Sequence, residues 1–136
     1  MYLYVMSSSA KKILIIDNYD SFTYNLVHFI EAAGFDTEVL RNDEFELDEV
    51  SEFQKILLSP GPGLPDGAGL LKPLIKEYSA TKSILGICLG QQAIAEVFGG
   101  SLVNLEKVYH GVSTEIKVIV DDELLFAGLP MTINVG

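Results

Sequence analysis

An open, mostly parallel α/β sheet with helices on both faces is the fold this sequence predicts, on three observations. Short apolar runs alternate with amphipathic stretches over the first hundred residues, at the spacing of β-α-β units. The run Ile13-Leu14-Ile15-Ile16 is continuous rather than alternating, as in a strand buried on both faces of a parallel sheet. Three runs end in turn formers or a glycine-flanked residue, at Asp17-Asn18, Ser59-Pro60-Gly61-Pro62-Gly63 and Cys88. In open α/β sheets ligands sit outside such carboxyl ends.

The elements follow in order. Residues 13–16 form the first strand. Asn18-Tyr19-Asp20 turns into a helix with Asp20 or Ser21 as N-cap, an apolar stripe of Phe22, Leu26, Phe29, Ile30 and Ala33, and Gly34 closing it. Residues 35–41 read as a second strand, 42–51 as an acidic connection with a helical turn, and 54–58 as a third strand. The Pro/Gly density of residues 59–67 permits neither helix nor ladder, so this is a loop. A helix over 68–78 turns Leu70, Leu71, Leu74 and Ile75 inward. Residues 83–87 form a fourth, buried strand, and a helix over 89–98 ends at Gly99-Gly100. Beyond it, residues 101–105, 112–120 and 131–135 read as strands of mixed direction.

A chain of 136 residues is worth about one domain at the usual ~150 residues each. A hydrophobic share of 49% with 21% charged residues marks a globular chain. The net charge of −10 disfavours nucleic-acid backbones and anionic membranes as partners. One cysteine makes no internal disulfide, and no apolar run approaches the ~20 residues of a membrane span. A cytoplasmic protein is expected. Residues 1–11 read as a leader, unstructured or pairing at a sheet edge, with initiation at Met6 as the alternative start; residues 12–136 read as the domain.

Gly86-Ile87-Cys88-Leu89-Gly90 joins a strand to a helix through a nucleophile flanked by glycines two positions either side. A sharp strand-to-helix turn exposes such a residue, and only small neighbours let the backbone pass. The helix start favours thiolate at Cys88 and leaves the Leu89 N–H free for a developing oxyanion. A free cysteine is more often a buried small hydrophobe; the two glycines argue for the nucleophile. The 59–63 loop alone is a rigid surface turn, and beside the elbow it becomes the second half of an oxyanion hole. It matches neither phosphate-binding glycine pattern. A cysteine nucleophile normally works with a histidine base. The chain offers His28, on the outer face of the first helix, and His110, in a late turn. Neither is expected to serve.

Asp17 to Asn25 (DNYDSFTYN), Arg41-Asn42-Asp43, Ser59 to Gly63 (SPGPG), Gly86 to Gln92 (GICLGQQ), Phe98-Gly99-Gly100 and His110-Gly111 together resemble the class I, triad-type glutamine amidotransferases. Within them the chain is similar to the glutaminase components of anthranilate and para-aminobenzoate synthases, with their flavodoxin-like architecture. The resemblance runs from about Lys12 to Gly136. It implies that Cys88 attacks the carboxamide of glutamine while the N–H groups of Leu89 and Gly61 hold the oxyanion. It implies glutamine contacts at Gly61, Pro62, Gly63 and Gln92. It further implies ammonia transfer to a chorismate-using synthase subunit that binds magnesium, with no metal or cofactor in this chain. Candidate docking residues are Asn18, Tyr19, Asp20, Ser21, Tyr24, His110 and Gly111.

Two departures from the family pattern stand out. Gln91 occupies the position where the family usually has His after Cys-Leu-Gly. The chain also stops at Asn134-Val135-Gly136, before the family's Arg-Tyr-His-Ser strand and the His-Pro-Glu segment that carries the catalytic His and Glu. As written it is expected to be inactive alone and prone to association through exposed apolar sheet. A scaffold that keeps partner docking without hydrolysis is the competing reading. A phospho-receiver, suggested by Asp17 and Asp20, would need an acceptor Asp where Ser59-Pro60 stands.

Overall fold

The apolar run at residues 13–16 becomes one of the two interior strands of a four-stranded sheet. The computed structural model describes residues 12–104, 106, 111–119 and 124–135; the leader assigned to residues 1–11 lies outside them. The elements are β1 (Lys12–Asp17), α1 (Thr23–Ala32), β2 (Asp36–Arg41), β3 (Lys55–Leu58), α2 (Leu71–Tyr78), β4 (Ser83–Gly86) and α3 (Leu89–Val97). Short 3-10 helices span Leu47–Glu52 and Pro65–Gly67. The order is β2-β1-β3-β4 with every pair parallel. Leu14, Ile15 and Ile16 are fully buried. That burial on both faces is why the run carries no polar alternation.

Alternate residues feed two cores. Leu14, Ile16, Ile56 and Leu58 pack with Leu71, Leu74, Ile75, Leu89 and Ala93 from α2 and α3. Ile15 and Leu57 face the other way, onto Leu26 and Val27 of α1. Helices therefore cover both faces, as the β-α-β spacing implies.

The stripe on α1 differs from the expected one. Thr23, Leu26 and Val27 are buried, while Phe22 and Phe29 are 46% and 67% exposed. The cause is a polar contact: Thr23 Oγ1 donates to Asp17 Oδ1 at 2.8 Å and turns Thr23 toward the sheet. The packed face then runs through 23, 26, 27 and 30, and both phenylalanines fall on its flank. Neither Asp20 nor Ser21 caps the helix; Phe22 is the cap residue. The Asp20 carboxylate instead accepts the Phe22 N–H at 2.8 Å.

β4 ends one residue earlier than expected and is not buried throughout. It pairs only with β3 among the described residues, and Leu85 is 43% exposed. Internal contacts divide the chain into two compact units, residues 1–102 and 103–136. In the second, β5 (Thr114–Lys117) pairs antiparallel with β6 (Thr132–Val135). The strand expected at 101–105 is absent from 101–104, which find no ladder partner among the described residues, and Leu105 lies outside them.

Candidate active site

Register aligns the carboxyl ends of the strands. Asp17 lies opposite Arg41, Ile16 opposite Leu58, and Leu58 opposite Gly86. The residues that follow, Asn18, Asn42, Ser59 and Cys88, therefore leave the sheet along one edge. Between β1 and β3 the chain reverses its direction of winding, and that switch point is where an open α/β sheet forms a crevice.

Cys88 occupies the sharp turn from β4 to α3 with φ 53° and ψ −109°, and its side chain is exposed. A positive φ on a non-glycine residue stores strain of order 1–3 kcal/mol, and such strain concentrates at functional sites. The flanking glycines are there for space. A Cβ on Gly86 would stand 2.5 Å from the backbone of Gly90 and Gln91, and one on Gly90 would stand 2.5 Å from Leu58 O. Gly90 N–H donates to Ile87 O and Gln92 N–H to Cys88 O, while no acceptor among the described residues takes the Leu89 N–H. That donor is free for an anion beside the thiol.

The loop after β3 comes to the same place. A Cβ on Gly61 would meet Asn18 Cβ at 2.5 Å and Leu89 Cδ2 at 2.8 Å, so Gly61 is wedged between the end of β1 and the start of α3. Pro62 and Gly63 are exposed, and Gly63 takes a positive φ of 77°. Behind the loop three polar residues are buried: Asn18, Asn42 and Ser59. Asn18 Nδ2 donates to Ser59 O at 2.8 Å, and Asn18 N–H to Ser59 Oγ at 2.9 Å. Asn42 Nδ2 donates to Asn18 Oδ1 at 3.0 Å.

Of the expected site residues, Cys88, Leu89 and Gly61 converge, with Gln92 one turn along α3. Tyr19, Ser21 and Tyr24 are exposed and Asp20 is partly so. Asn18 is not a surface residue: it is 2% exposed and its side chain serves the Ser59 loop. Gly111 lies exposed in the second unit, and His110 falls outside the described residues. His28 is exposed on α1, which covers the opposite face of the sheet from α3. Gln91 is exposed on the first turn of α3.

Sequence reading missed the supporting residues. Asp17 Oδ1 accepts the N–H groups of Tyr19 and Asp20 as well as the Thr23 hydroxyl, which shapes the first turn. Tyr19 takes a positive φ of 62°, donates its hydroxyl to Asp43 Oδ1 at 2.6 Å and lies under the Arg41 guanidinium. The bond to Asp43 holds the Tyr19 phenol above its ordinary pKa. An Asn at a strand end was the available signal for Asn42, but nothing local says that it faces Asn18.

Lys72 of α2 straps the end of the loop to α3, donating to Asp66 at 2.6 Å and Glu96 at 3.0 Å. Its ammonium holds the Asp66 carboxyl below the usual range, and the two carboxylates hold Lys72 above its own. The Asp66 contribution to stability is present above the ordinary aspartate pKa of about 4 and is lost as pH falls through the lowered value. The Lys72 contribution is present below about pH 10 and is lost as pH rises through the raised value. Lys72→Met should therefore unfold more easily than the parent near neutral pH, with the difference closing in strong acid. Thermal melts between pH 2 and pH 8 check this, and a pH-independent difference would refute the strap.

A cavity of about 420 Å³ bounded by Lys12, Glu38, Asp48, Glu49, Glu52 and Phe53 opens at the amino-terminal edge of the sheet. Ligands in this architecture sit at the opposite edge. Among the described residues no group of three His, Cys, Asp or Glu side chains is placed to hold a metal ion, and no helix is long and apolar enough to cross a membrane.

Comparison with known proteins agrees with this fold. The Glutamine amidotransferase class-I family matches residues 14–136. The aminodeoxychorismate/anthranilate synthase component 2 of Bacillus subtilis is 44% identical over 119 residues, covering 86% of this chain and 60% of that protein. Anthranilate synthase component 2 of Lactococcus lactis is 46% identical, covering 87% and 59%. Aminodeoxychorismate synthase component 2 of Escherichia coli is 45% identical, covering 90% and 66%. The chain thus spans about three-fifths to two-thirds of the length of these relatives. The crystal structure of a Thermoplasma acidophilum protein provisionally assigned to GMP synthase superposes with a TM-score of 0.78 at 30% identity, over 93% of this chain and 63% of that one.

Proposed function

This chain belongs to the class-I glutamine amidotransferase family, and from that membership we propose that it acts in the glutaminase component of anthranilate synthase. The observation that carries the reading is Cys88, held at positive φ at the start of α3 between two glycines that admit no side chain. The Cys88 thiolate attacks the carboxamide carbon of glutamine. The N–H groups of Leu89 and Gly61 hold the oxyanion, and Gly61, Pro62, Gly63 and Gln92 hold the substrate. The C–N bond then breaks, ammonia leaves with the returned proton, and a γ-glutamyl thioester remains. Water attacks the thioester, releasing glutamate and restoring the thiol. We assign the proton acceptor to the part of the longer relatives that residues 1–136 do not match; His28 sits on the other side of the sheet from α3, and His110 is read as a docking residue.

Ammonia passes to a chorismate-using synthase subunit, which holds the magnesium; thioester chemistry at Cys88 needs no cofactor here. The exposed Tyr19, Ser21 and Tyr24 and the partly exposed Asp20, together with His110 and Gly111, are the proposed docking residues. A cytoplasmic location is part of this reading. The para-aminobenzoate branch is the second reading, favoured by the 45% identity to the aminodeoxychorismate component.

Intact-mass spectrometry of a protein that includes the proton acceptor, after incubation with a diazoketone analogue of glutamine and with iodoacetamide as the control, tests the proposal. One adduct mapping to Cys88, blocked by excess glutamine, is expected. Alkylation of Cys88 by iodoacetamide without any diazoketone adduct would overturn it.

A further inference from the structure

We propose that Asn18 and Asn42 are positioning residues for the glutamine site: a buried amide pair that sets where the Ser59 loop stands against Cys88 and Leu89. The inference rests on the glutaminase reading for its substrate but on geometry for its mechanism. Ser59 O accepts from Asn18 Nδ2, and Asn18 Oδ1 accepts from Asn42 Nδ2. Ser59 Oγ accepts the Asn18 N–H and donates to Pro60 O at 2.7 Å. Asn42 is itself anchored, with its N–H on Asp17 O at 3.0 Å and its carbonyl taking the Leu70 N–H at 2.7 Å. Asn18, Asn42 and Ser59 are all buried.

The relay has a direction. Ser59 O can only accept, so the nitrogen of the Asn18 amide must face it and the oxygen is left to take the Asn42 donor. Flipping that amide would set two oxygens against each other at Ser59 and leave buried groups unpaired, a costly arrangement in low dielectric. Gly61 then follows, because it packs without a Cβ against Asn18 and against Leu89. The ends of β1 and β2 thereby place the loop that leaves the end of β3.

Asn18→Asp is the incisive variant. It is isosteric, and it exchanges only the donor toward Ser59 O for an oxygen. When ionised it repels that carbonyl, and when protonated it can donate to it again. Relative to the parent at each pH, hydrogen exchange at Ser59, whose N–H donates to Ile16 O at 3.0 Å, should accelerate about tenfold or more at pH 8 and return toward the parent value as pH falls. The β1 and β3 ladder amides should keep their protection. Asn42→Ala should loosen the same amide at every pH, and the milder Asn42→Ser serves if that variant folds poorly. Diazoketone labelling of Cys88, divided by its iodoacetamide alkylation rate, should fall in parallel, a ratio that general destabilisation would not move. Unchanged exchange at Ser59, or a pH-independent effect of Asn18→Asp, would overturn the relay. If the parent takes iodoacetamide but no diazoketone, the glutaminase reading fails while the exchange measurement still decides the relay.

Discussion

Gly90→Ala is expected to destabilise the protein by about 3 kcal/mol, lowering Tm by about 10 °C. Gly90 lies in the first turn of α3, and an added Cβ would stand 2.5 Å from Leu58 O and 2.6 Å from Leu58 Cβ on β3. Leu58 is fully buried and hydrogen-bonded through the sheet, so it cannot give way. The helix must lift instead, and its first turn carries Leu89 and Cys88 with it. Propensity alone points the other way, since Ala is better than Gly inside a helix by about 1 kcal/mol. The sign of the change therefore decides between steric closeness and propensity. A Tm unchanged or raised would show that α3 does not approach β3 as described. Diazoketone labelling of Cys88 should fall in the same variant.

Cys88→Gly should separate strain from chemistry. Glycine adopts φ 53° and ψ −109° without the steric conflict that any Cβ brings, and relief of that conflict is worth about 1–3 kcal/mol. Part of it is offset by the freedom glycine adds to the unfolded chain, about 0.5–1 kcal/mol. A net gain of about 1 kcal/mol, or about 3 °C in Tm, is expected. The variant should form no diazoketone adduct, and in the assembled enzyme glutamine-dependent turnover should fall by at least about three powers of ten, since the nucleophile works as a unit with its base. Cys88→Ala is the matched control: it loses the sulfur but keeps a Cβ, so it should lose the chemistry without the gain in Tm. Equal melting of the two variants would show that the turn is not strained.

Much of this was legible in the residues because the signals are local. The run at 13–16 reads as a doubly buried strand, and all four sheet strands appear within a residue or two of the expected bounds. The elbow is equally legible, since Gly86 and Gly90 are required by backbone that lies within a few residues or on the adjacent strand. The α1 stripe was less so. A hydrophobicity count places Phe22 and Phe29 inward and cannot know that Thr23 reaches Asp17. The exposure of Leu85 depends on which strand and helix come to lie beside β4, and β4 itself carries no mark of pairing with β3 alone among the described residues.

By itself, then, the sequence determined the order of strands and helices over the first hundred residues, the loop that leaves β3 and the glycine-flanked turn at Cys88, because each depends on spacing and side-chain type within about ten residues. Only the tertiary structure decided that Asn18 is buried rather than displayed, that Asn42 faces it, and that Gly61 fits between Asn18 and Leu89. Those pairs join residues 24 to 43 positions apart at the ends of separate strands. Their contact is set by sheet order and register, and a buried amide finds its partner only after the strands have aligned.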